Sequence, residues 1–236
     1  MLKKTKKRIK NFFLYTFAAL IGTSLFLTLL CRLIPIPLTP YMVFRAIAQH
    51  HYKIDKTWVR LQDISPHLIV AVIAAEDQRF LDHHGFDMQA IRKAFANNQS
   101  GKKIKGGSTI SQQTAKNLFL WPSRSWFRKG LEAYFTLLIE LCWSKQRILE
   151  VYLNIIEMGK GIYGVEAASQ HHFNRHAKEV SAYQAAMLTT IIPSPIRYNL
   201  YNPGTYIFAQ QDWILTYMKI LAGNKDLQHF LQQLQD

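Results

Sequence analysis

Acidic residues are scarce in this 236-residue chain. Asp and Glu together number 15 against 29 Lys and Arg, which gives a formal net charge of +14. Six of the basic residues lie within the first ten positions, where no acidic residue occurs, and the rest of the chain is still basic. This excess predicts an anionic partner such as a phosphate, a lipid head group or nucleic acid.

Cysteine is nearly absent as well, with one residue at the end of an apolar run, Cys31, and one in a helical pattern, Cys142. We expect no disulfide between them, and so few cysteines indicate nothing about the cellular compartment. The hydrophobic fraction of 49%, with 13% aromatic residues, is sufficient for a sizeable core and argues against a disordered chain.

Two common site motifs are missing. His83 and His84 are adjacent but have no HExxH motif or cysteine partner, so we do not expect them to chelate a metal. The segment from Gly101 resembles a P-loop, but Gly107 stands where the lysine of that motif is required, and no strand precedes it. Convincing period-2 alternation is also missing, so the predicted fold class is mainly α.

What the sequence does contain, first of all, is a run of twenty uncharged and mostly apolar residues from Phe12 to Cys31. This is the length that a helix needs to cross a bilayer. Basic residues are concentrated before the run and only Arg32 follows it directly, which predicts that the N-terminus is cytoplasmic and that residues 35–236 lie on the far side. A cleaved signal peptide is the alternative, and the missing small-x-small site argues against it.

A carboxylate at the end of an apolar helix is the strongest candidate for chemistry. The helix predicted to begin at Ser65 ends in Glu76, which shares a face with Val72 and Ile73 and is therefore drawn towards the core. Burial raises the pKa of such a carboxyl, which suits a general acid or base near neutral pH. Asp77 points elsewhere and is predicted to accept hydrogen bonds in the following turn. The alternative for Glu76 is a local cap or ion pair.

A second helix is predicted after the Gly-Gly turn, capped by Ser108 or Thr109, with Thr109 and Gln112 spaced as a capping box. Its N-terminus is suited to an anion. Lys116 lies two turns further on, on roughly the side of Ser108, with Gln112 between them. The alternative interpretation is a polar, solvated helix face.

Aromatic and basic residues alternate in the next segment, which we expect to expose Phe119, Trp121, Trp126 and Phe127. Such a pattern also occurs on nucleic-acid-binding surfaces, but on a membrane-tethered domain it favours the lipid interface and a lipid-linked anion. The basic members of the segment are Arg124, Arg128 and Lys129.

The remaining chain is predicted to be helical. A helix from Arg128 has an apolar stripe, and Glu132 on it is spaced for ion pairs with Arg128 and Lys129. The helix after Ser144 should be among the most buried, with Glu150, Asn154 and Glu157 chiefly structural. Later helices are predicted at 165–169, 181–192, 205–222 and 226–235, the last two as peripheral cover. Residues 41–64 are predicted to be a short helix and a connection without catalytic groups. The apolar stripe of the helix that begins at Arg128 comprises Leu131, Phe135, Leu138 and Leu141 or Cys142.

Five motifs follow one another over roughly residues 50–200. They are Glu76-Asp77-x-x-Phe80-x-x-His83-x-Gly85, Gly107-Ser108-Thr109-Ile110-x-Gln112-Gln113-x-x-Lys116-Asn117, Arg128-Lys129-x-x-Glu132, Arg147-Ile148-Leu149-Glu150-x-Tyr152-Leu153-Asn154 and Gly161-x-Tyr163-Gly164-x-Glu166. In these motifs the chain resembles the peptidoglycan glycosyltransferases of family 51. One membrane span without room for a transpeptidase domain resembles the monofunctional biosynthetic form.

The resemblance implies a mainly α, lysozyme-like domain with a membrane-dipping jaw, preceded by one transmembrane helix. It implies a basic cytoplasmic tail at 1–10, a transmembrane helix at 11–34, a linker and lead-in at 35–64 and a glycosyltransferase domain at 65–236. The implied location is the cytoplasmic (inner) membrane. The implied partners are that membrane, lipid II and the growing lipid-linked glycan; other wall-synthesis proteins stay open, and nucleic acid is not expected.

The implied reaction polymerises lipid II into β-1,4-linked strands by inverting displacement of lipid pyrophosphate, with Glu76 as general base. Glu132 is the second catalytic glutamate, which either orients the cations or shares a divalent metal such as Mg²⁺ with the pyrophosphate; no dedicated metal cage is evident. The implied substrate-binding residues are Ser108, Gln112, Gln113, Lys116, Arg124, Arg128, Lys129 and Asn154.

Two other classes of protein remain as alternatives. A lysozyme-like lytic enzyme also uses a half-buried glutamate, but it cuts a neutral bond and does not need the cations that a pyrophosphate leaving group requires. A membrane-tethered, non-enzymatic wall-binding module would not depend on Glu76.

Overall fold

The computed structural model describes residues 2–92 and 107–234, so Gly101 of the P-loop-like segment lies outside the described residues. The chain divides into two units, residues 1–35 and residues 36–236. The first unit is helix α1, Leu2–Leu33. Within the described residues, its segment Thr5–Leu33 is the one helix long and apolar enough to cross a membrane, by length and composition. It contains the predicted span and ends just before Pro35, which cannot continue a helix.

The second unit is mainly helical, as the sequence predicts. Short 3₁₀ helices lie at Leu61–Asp63 and Ala177–Glu179. A further helix begins at residue 88, just after Asp87. The Oδ1 atom of Asp87 accepts from the backbone N–H groups of Gln89 and Ala90 at this helix start. The other helices are α2 (Pro40–Ala48), α3 (Pro66–Glu76), α4 (Ile110–Phe119), α5 (Trp126–Cys142), α6 (Lys145–Ile155), α7 (Val165–Phe173), α8 (Ala182–Thr189), α9 (Thr205–Leu221) and α10 (Lys225–Gln232).

A small three-stranded sheet accompanies these helices. Its strands are β1 (Asp55–Lys56), β2 (Glu157–Gly159) and β3 (Ile162–Tyr163), in the order β1-β3-β2. β3 pairs parallel to β1 and antiparallel to β2. The sequence does not reveal the sheet because strands of two or three residues are too short for a period-2 pattern.

Helix α6 forms the centre of the core, as predicted, because apolar side chains cover most of its circumference. Helix α7 approaches it closely at Gly164, which has a φ of +81° and whose position would put a Cβ atom 2.8 Å from the backbone oxygen of Asn154. The residues of α6 that are fully buried are Ile148, Leu149, Val151, Tyr152, Leu153 and Ile155.

Helix α3 is almost entirely apolar and packs against α8 and α9. The interpretation of α9 as peripheral cover is therefore wrong, since its Gln211 and Ile214 are buried and the helix contacts both α3 and α8. Helix α10 is also predicted to be peripheral cover. It buries Leu227 and Phe230 and leaves most of its residues exposed, which agrees with that prediction.

Helix α5 buries polar side chains as well as apolar ones. Its buried residues are Glu132, Thr136 and Ile139. The predicted stripe is half-buried at Leu131, Phe135, Leu138 and Cys142, whereas Leu141, the alternative to Cys142, is 81% exposed. The stripe contacts α4 where Phe135 stacks on Phe119 at a centroid distance of 4.4 Å, and the polar side also packs, since Thr136 lies close to the tight turn at Gly85.

Candidate active site

Glu76 is the last residue of α3, and the helix ends there because Asp77 adopts an extended φ while its N–H still bonds to Ile73. The Glu76 side chain is partly exposed. As predicted, burial raises its pKa, although a hydrogen bond from Gln113 and the charge of Lys116 act in the opposite direction. The side-chain amide of Gln113 donates to Glu76 Oε2 at 2.6 Å.

Asp77 is the structural acceptor that the sequence predicts. Its Oδ1 lies 2.9 Å from Nε2 of His83, and its Oδ2 accepts the backbone N–H of Ile110 at 3.0 Å. These contacts join the end of α3 to the first residue of α4, so the backbone that carries Glu76 is fixed relative to the backbone that carries Lys116. The residues that the structure describes contain no group of three or more potential metal ligands.

The start of α4 has the predicted capping box, in which Thr109 and Gln112 satisfy each other's backbone N–H groups. Gln112 therefore has a capping role in the structure, and its assignment to the substrate-binding set stays a prediction. Gln113 also has a different contact: its Nε2 donates to Glu76, and its Oε1 accepts from Tyr152 at 3.3 Å. The structure thus brings Gln113 to the candidate base.

Lys116 interacts electrostatically with Glu76 and with a charged cluster on α5, which consists of Arg128, Lys129 and Glu132. Burial lowers the pKa of Lys116; Glu132 and Glu76 raise it, and the two neighbouring cations lower it further. Glu132 is only 2% exposed, and its two oxygens accept from Arg128 Nη1 at 2.6 Å and from Lys129 Nζ. The predicted ion pairs are confirmed. Because three cations surround one buried carboxylate, this part of the site favours a bound anion.

Ser108 and Arg124 differ in their relation to this cluster. Ser108 Oγ accepts from Lys129 Nζ at 3.2 Å, so it borders the cluster. Arg124 is exposed on the connection between α4 and α5, and the structure shows it no hydrogen bond or ion pair with the described residues. The structure therefore brings Ser108 to the cations and does not bring Arg124 there.

Asn154 is 1% exposed and is fully engaged with the backbone. Its Oδ1 accepts the N–H of Val59 at 2.8 Å, and its Nδ2 donates to the carbonyl oxygens of Val59 and Glu150, both at 2.8 Å. Asn154 therefore holds the lead-in segment against α6, which agrees with its structural interpretation, and its place among the substrate-binding residues stays an untested prediction. Glu150 and Glu157 also have structural contacts, to Leu61 N–H and to Arg45 respectively.

Two tyrosines of the site are not among the site residues that the sequence predicts. Tyr41, on α2, has its ring centroid 5.5 Å from Lys116 Nζ, although residues 41–64 are predicted to contain no catalytic groups. Tyr152 contacts Gln113 from within the core of α6. Both contacts join residues far apart in sequence, and the weak periodicity of residues 41–64 does not indicate which side of α2 meets another helix.

A partly buried glutamate beside a cluster of cations suits an enzyme that needs a general base and a site for an anion. Residues 44–219 match the family described as Transglycosylase. The chain belongs to the transglycosylase family, which confirms the resemblance found in its motifs. The predicted lysozyme-like, mainly α fold class is confirmed as well.

Several relatives share this family over most of their length, and each of the three described here is named biosynthetic peptidoglycan transglycosylase. The protein of Bdellovibrio bacteriovorus is 52% identical over 197 residues, which cover 82% of this chain and 79% of the relative. That of Caulobacter vibrioides is 50% identical over 202 residues, 86% and 87% of the two chains. That of Haemophilus influenzae is 48% identical over 233 residues, 96% and 92% of the two chains.

Proposed function

We propose that this protein is a peptidoglycan glycosyltransferase that polymerises lipid II into β-1,4-linked glycan strands. The observation that carries the proposal is the pairing of Glu76, whose pKa is raised by burial, with a cation cluster on the adjacent helices. The relatives match most of this chain at about half identity, and their name, biosynthetic peptidoglycan transglycosylase, supports a role in peptidoglycan synthesis.

In the proposed reaction Glu76 accepts the proton of the acceptor sugar's 4-hydroxyl group. The hydroxyl oxygen forms a bond to the anomeric carbon of the growing lipid-linked chain, and the bond from that carbon to the lipid pyrophosphate breaks with both electrons leaving on the pyrophosphate. One displacement inverts an α-linked donor into a β-linked product. No carboxylate nucleophile is needed, so one base and a site for the departing anion are sufficient.

The departing pyrophosphate is assigned to Lys116, Arg128 and Lys129, with Ser108 beside them. Charge that develops in the transition state is stabilised most strongly by donors that are already oriented in a partly desolvated site. Glu132 supplies that orientation, because each of its oxygens accepts from one of the two α5 cations. This occupancy favours the orienting role of Glu132 over a role as metal ligand.

The proposed location is the cytoplasmic membrane, with one span, a cytoplasmic N-terminus and the catalytic domain outside. We also propose the domain division that the sequence predicts: a cytoplasmic tail at 1–10, a transmembrane helix at 11–34, a linker and lead-in at 35–64 and a glycosyltransferase domain at 65–236. The charge distribution around the apolar helix supports this orientation. The exposed apolar side of α5, where Trp126 is 92% and Phe127 is 71% exposed, supports a jaw that dips into the lipid interface.

Membrane contact by α5 predicts that the domain without residues 1–34 still floats with liposomes, more weakly than the full chain. Replacing both Trp126 and Phe127 with Ala in that truncated protein should reduce the bound fraction about tenfold or more, because each buried aromatic ring contributes roughly 1.5 to 3 kcal/mol. Tyr183→Ala, an exposed aromatic on α8, is the matched control. A truncated protein that stays in solution and never floats would show that α5 does not enter the interface.

The substrate is tested by incubating the purified full-length protein with lipid II and separating the products by size. We expect glycan polymer and released lipid pyrophosphate. A lytic enzyme would instead shorten preformed glycan, and a wall-binding module would bind glycan without changing either substrate. Either of those outcomes would refute the proposal.

A further inference from the structure

Helix α2 belongs to the lead-in segment, and its residue Tyr41 precedes the range 44–219 that matches the family. Thr39 caps the helix and Pro40 occupies its first turn, so it begins at a defined point. Met42 is fully buried, and α2 packs against α4, the helix that carries Lys116. The segment after the membrane span is therefore part of the wall of the candidate site.

The tyrosine on this helix meets the central cation of the site. Lys116 Nζ lies 5.5 Å from the centroid of the Tyr41 ring, within the distance at which a ring face attracts an ammonium group. Burial raises the pKa of Tyr41, Glu157 raises it further, and Arg45 and Arg128 lower it. The Tyr41 ring therefore lies among charged groups of the candidate site, and its raised pKa keeps the hydroxyl protonated near neutral pH.

The position of α2 along the sheet is held by a buried carboxylate. Glu157 on β2 accepts from Arg45 Nε at 2.9 and 3.1 Å and from Gln49 Nε2 at 2.7 Å. Arg45 follows Tyr41 by one helical turn, so the same contact fixes the direction in which Tyr41 points. The chain just before α2 is held as well, because the carbonyl oxygen of Ile36 accepts from Lys56 Nζ at 2.7 Å.

We propose that Tyr41 is a positioning residue for Lys116, and that the contact of Arg45 and Gln49 with Glu157 holds Tyr41 in place. The ring fixes the direction of the ammonium group and shields it from water, so that Lys116 meets the leaving pyrophosphate without reorganisation. The effect of Tyr41 on turnover rests on the proposed function, which gives Lys116 its role in the reaction. The contact between Tyr41 and Lys116 does not depend on that function. The proposed role of Tyr41 makes the helix after the membrane span a contributor to catalysis.

The test compares Tyr41→Leu and Tyr41→Phe in the full-length protein, with Phe44→Leu as the control, because Phe44 lies on the same helix and is 49% exposed. Loss of the ring should lower kcat for lipid II polymerisation about three- to thirtyfold, with a smaller change in KM. Tyr41→Phe keeps the ring face and should retain most of the activity. Phe44→Leu should behave as the wild-type protein.

A second readout does not depend on activity. Competitive acylation of lysine amines, quantified by mass spectrometry of the Lys116 peptide, should show faster labelling of Lys116 in Tyr41→Leu and no change in Tyr41→Phe or Phe44→Leu. Thermal melting shows whether Tyr41→Leu folds. If it does not, Glu157→Gln replaces it, because this change weakens the contact to Arg45 and leaves the Tyr41 ring intact. Glu157→Gln should likewise lower kcat and accelerate labelling of Lys116.

Wild-type kcat together with wild-type labelling of Lys116 in a folded Tyr41→Leu protein would overturn the inference. The failure of the proposed function has a different signature. If Lys116→Ala is fully active while Tyr41→Leu still accelerates labelling at Lys116, the contact exists but Lys116 does not serve the reaction.

Discussion

Glu76→Gln is expected to lower the rate of glycan polymerisation by about 10²- to 10⁴-fold or more, the usual contribution of a positioned general base. The amide keeps the shape of the side chain and can still accept the hydrogen bond from Gln113, but it cannot take a proton. Polymerisation of lipid II by the purified variant is the measurement. Glu179→Gln, a change at an exposed carboxylate outside the site, is the matched control. A folded Glu76→Gln protein that polymerises at nearly the wild-type rate would remove the base from this residue.

The raised pKa of Glu76 gives this prediction a pH signature. The proposed reaction requires the ionised carboxylate, so kcat/KM should rise with pH through a pKa above that of an ordinary glutamate. The folded-state pKa exceeds the unfolded one, so the stabilisation linked to this group is complete below the unfolded pKa and is lost as pH rises through the folded pKa. Glutamine removes this loss. The variant should therefore melt at or above the wild-type temperature at neutral pH, with a smaller difference in acid.

Lys116→Ala is the second change with a large expected effect. Losing a charge-assisted contact to a developing anion in a partly desolvated site costs roughly 2 to 4 kcal/mol of transition-state stabilisation, or about 30- to 1000-fold in turnover. Lys116→Arg should rescue poorly, since a planar guanidinium does not reproduce a compact ammonium group. Lys219→Ala, at an exposed lysine on α9, should change neither turnover nor stability measurably. Polymerisation and thermal melting of all three variants are measured together.

Full activity of Lys116→Ala would return this lysine to the role of a solvated charge. The lowered pKa of Lys116 adds a check on the alkaline side, where the protein should lose activity as the ammonium group loses its proton, at a pH below the titration of an ordinary lysine. A profile that stays flat there would separate the lysine from the reaction even if the alanine variant were impaired.

Local signals in the sequence predict much of the fold. The cap at Ser65, the capping box of Thr109 and Gln112 and the apolar surface of α6 are each encoded within one or two helical turns, and each appears in the structure. The burial of Glu76 follows from its neighbours on α3. These features depend on residues close in sequence, which is why propensity and spacing are sufficient to find them.

The features that sequence reasoning missed depend on contacts between distant segments. Helix α5 buries Glu132 and exposes Leu141 because its partner is the polar start of α4, and amphipathic analysis assumes that the apolar side faces the core. Asn154 gives no indication in sequence that Val59, far along the chain, takes its hydrogen-bonding groups. Tyr41 is placed against Lys116 by helix packing, and no local pattern encodes that packing.

The contact between Gln113 and Glu76 makes the two oxygens of the glutamate unequal. Tyr152 is kept protonated by burial, which raises its pKa well above the usual value, so its hydroxyl can donate to Gln113 Oε1 and thereby keeps Nε2 directed at Glu76 Oε2. Among the described residues the Gln113 contact is the one hydrogen bond to this carboxylate, and Oε1 keeps its lone pairs. In the proposed reaction one oxygen is therefore an anchor and the other accepts the proton, so this contact would also determine the side from which the sugar hydroxyl arrives.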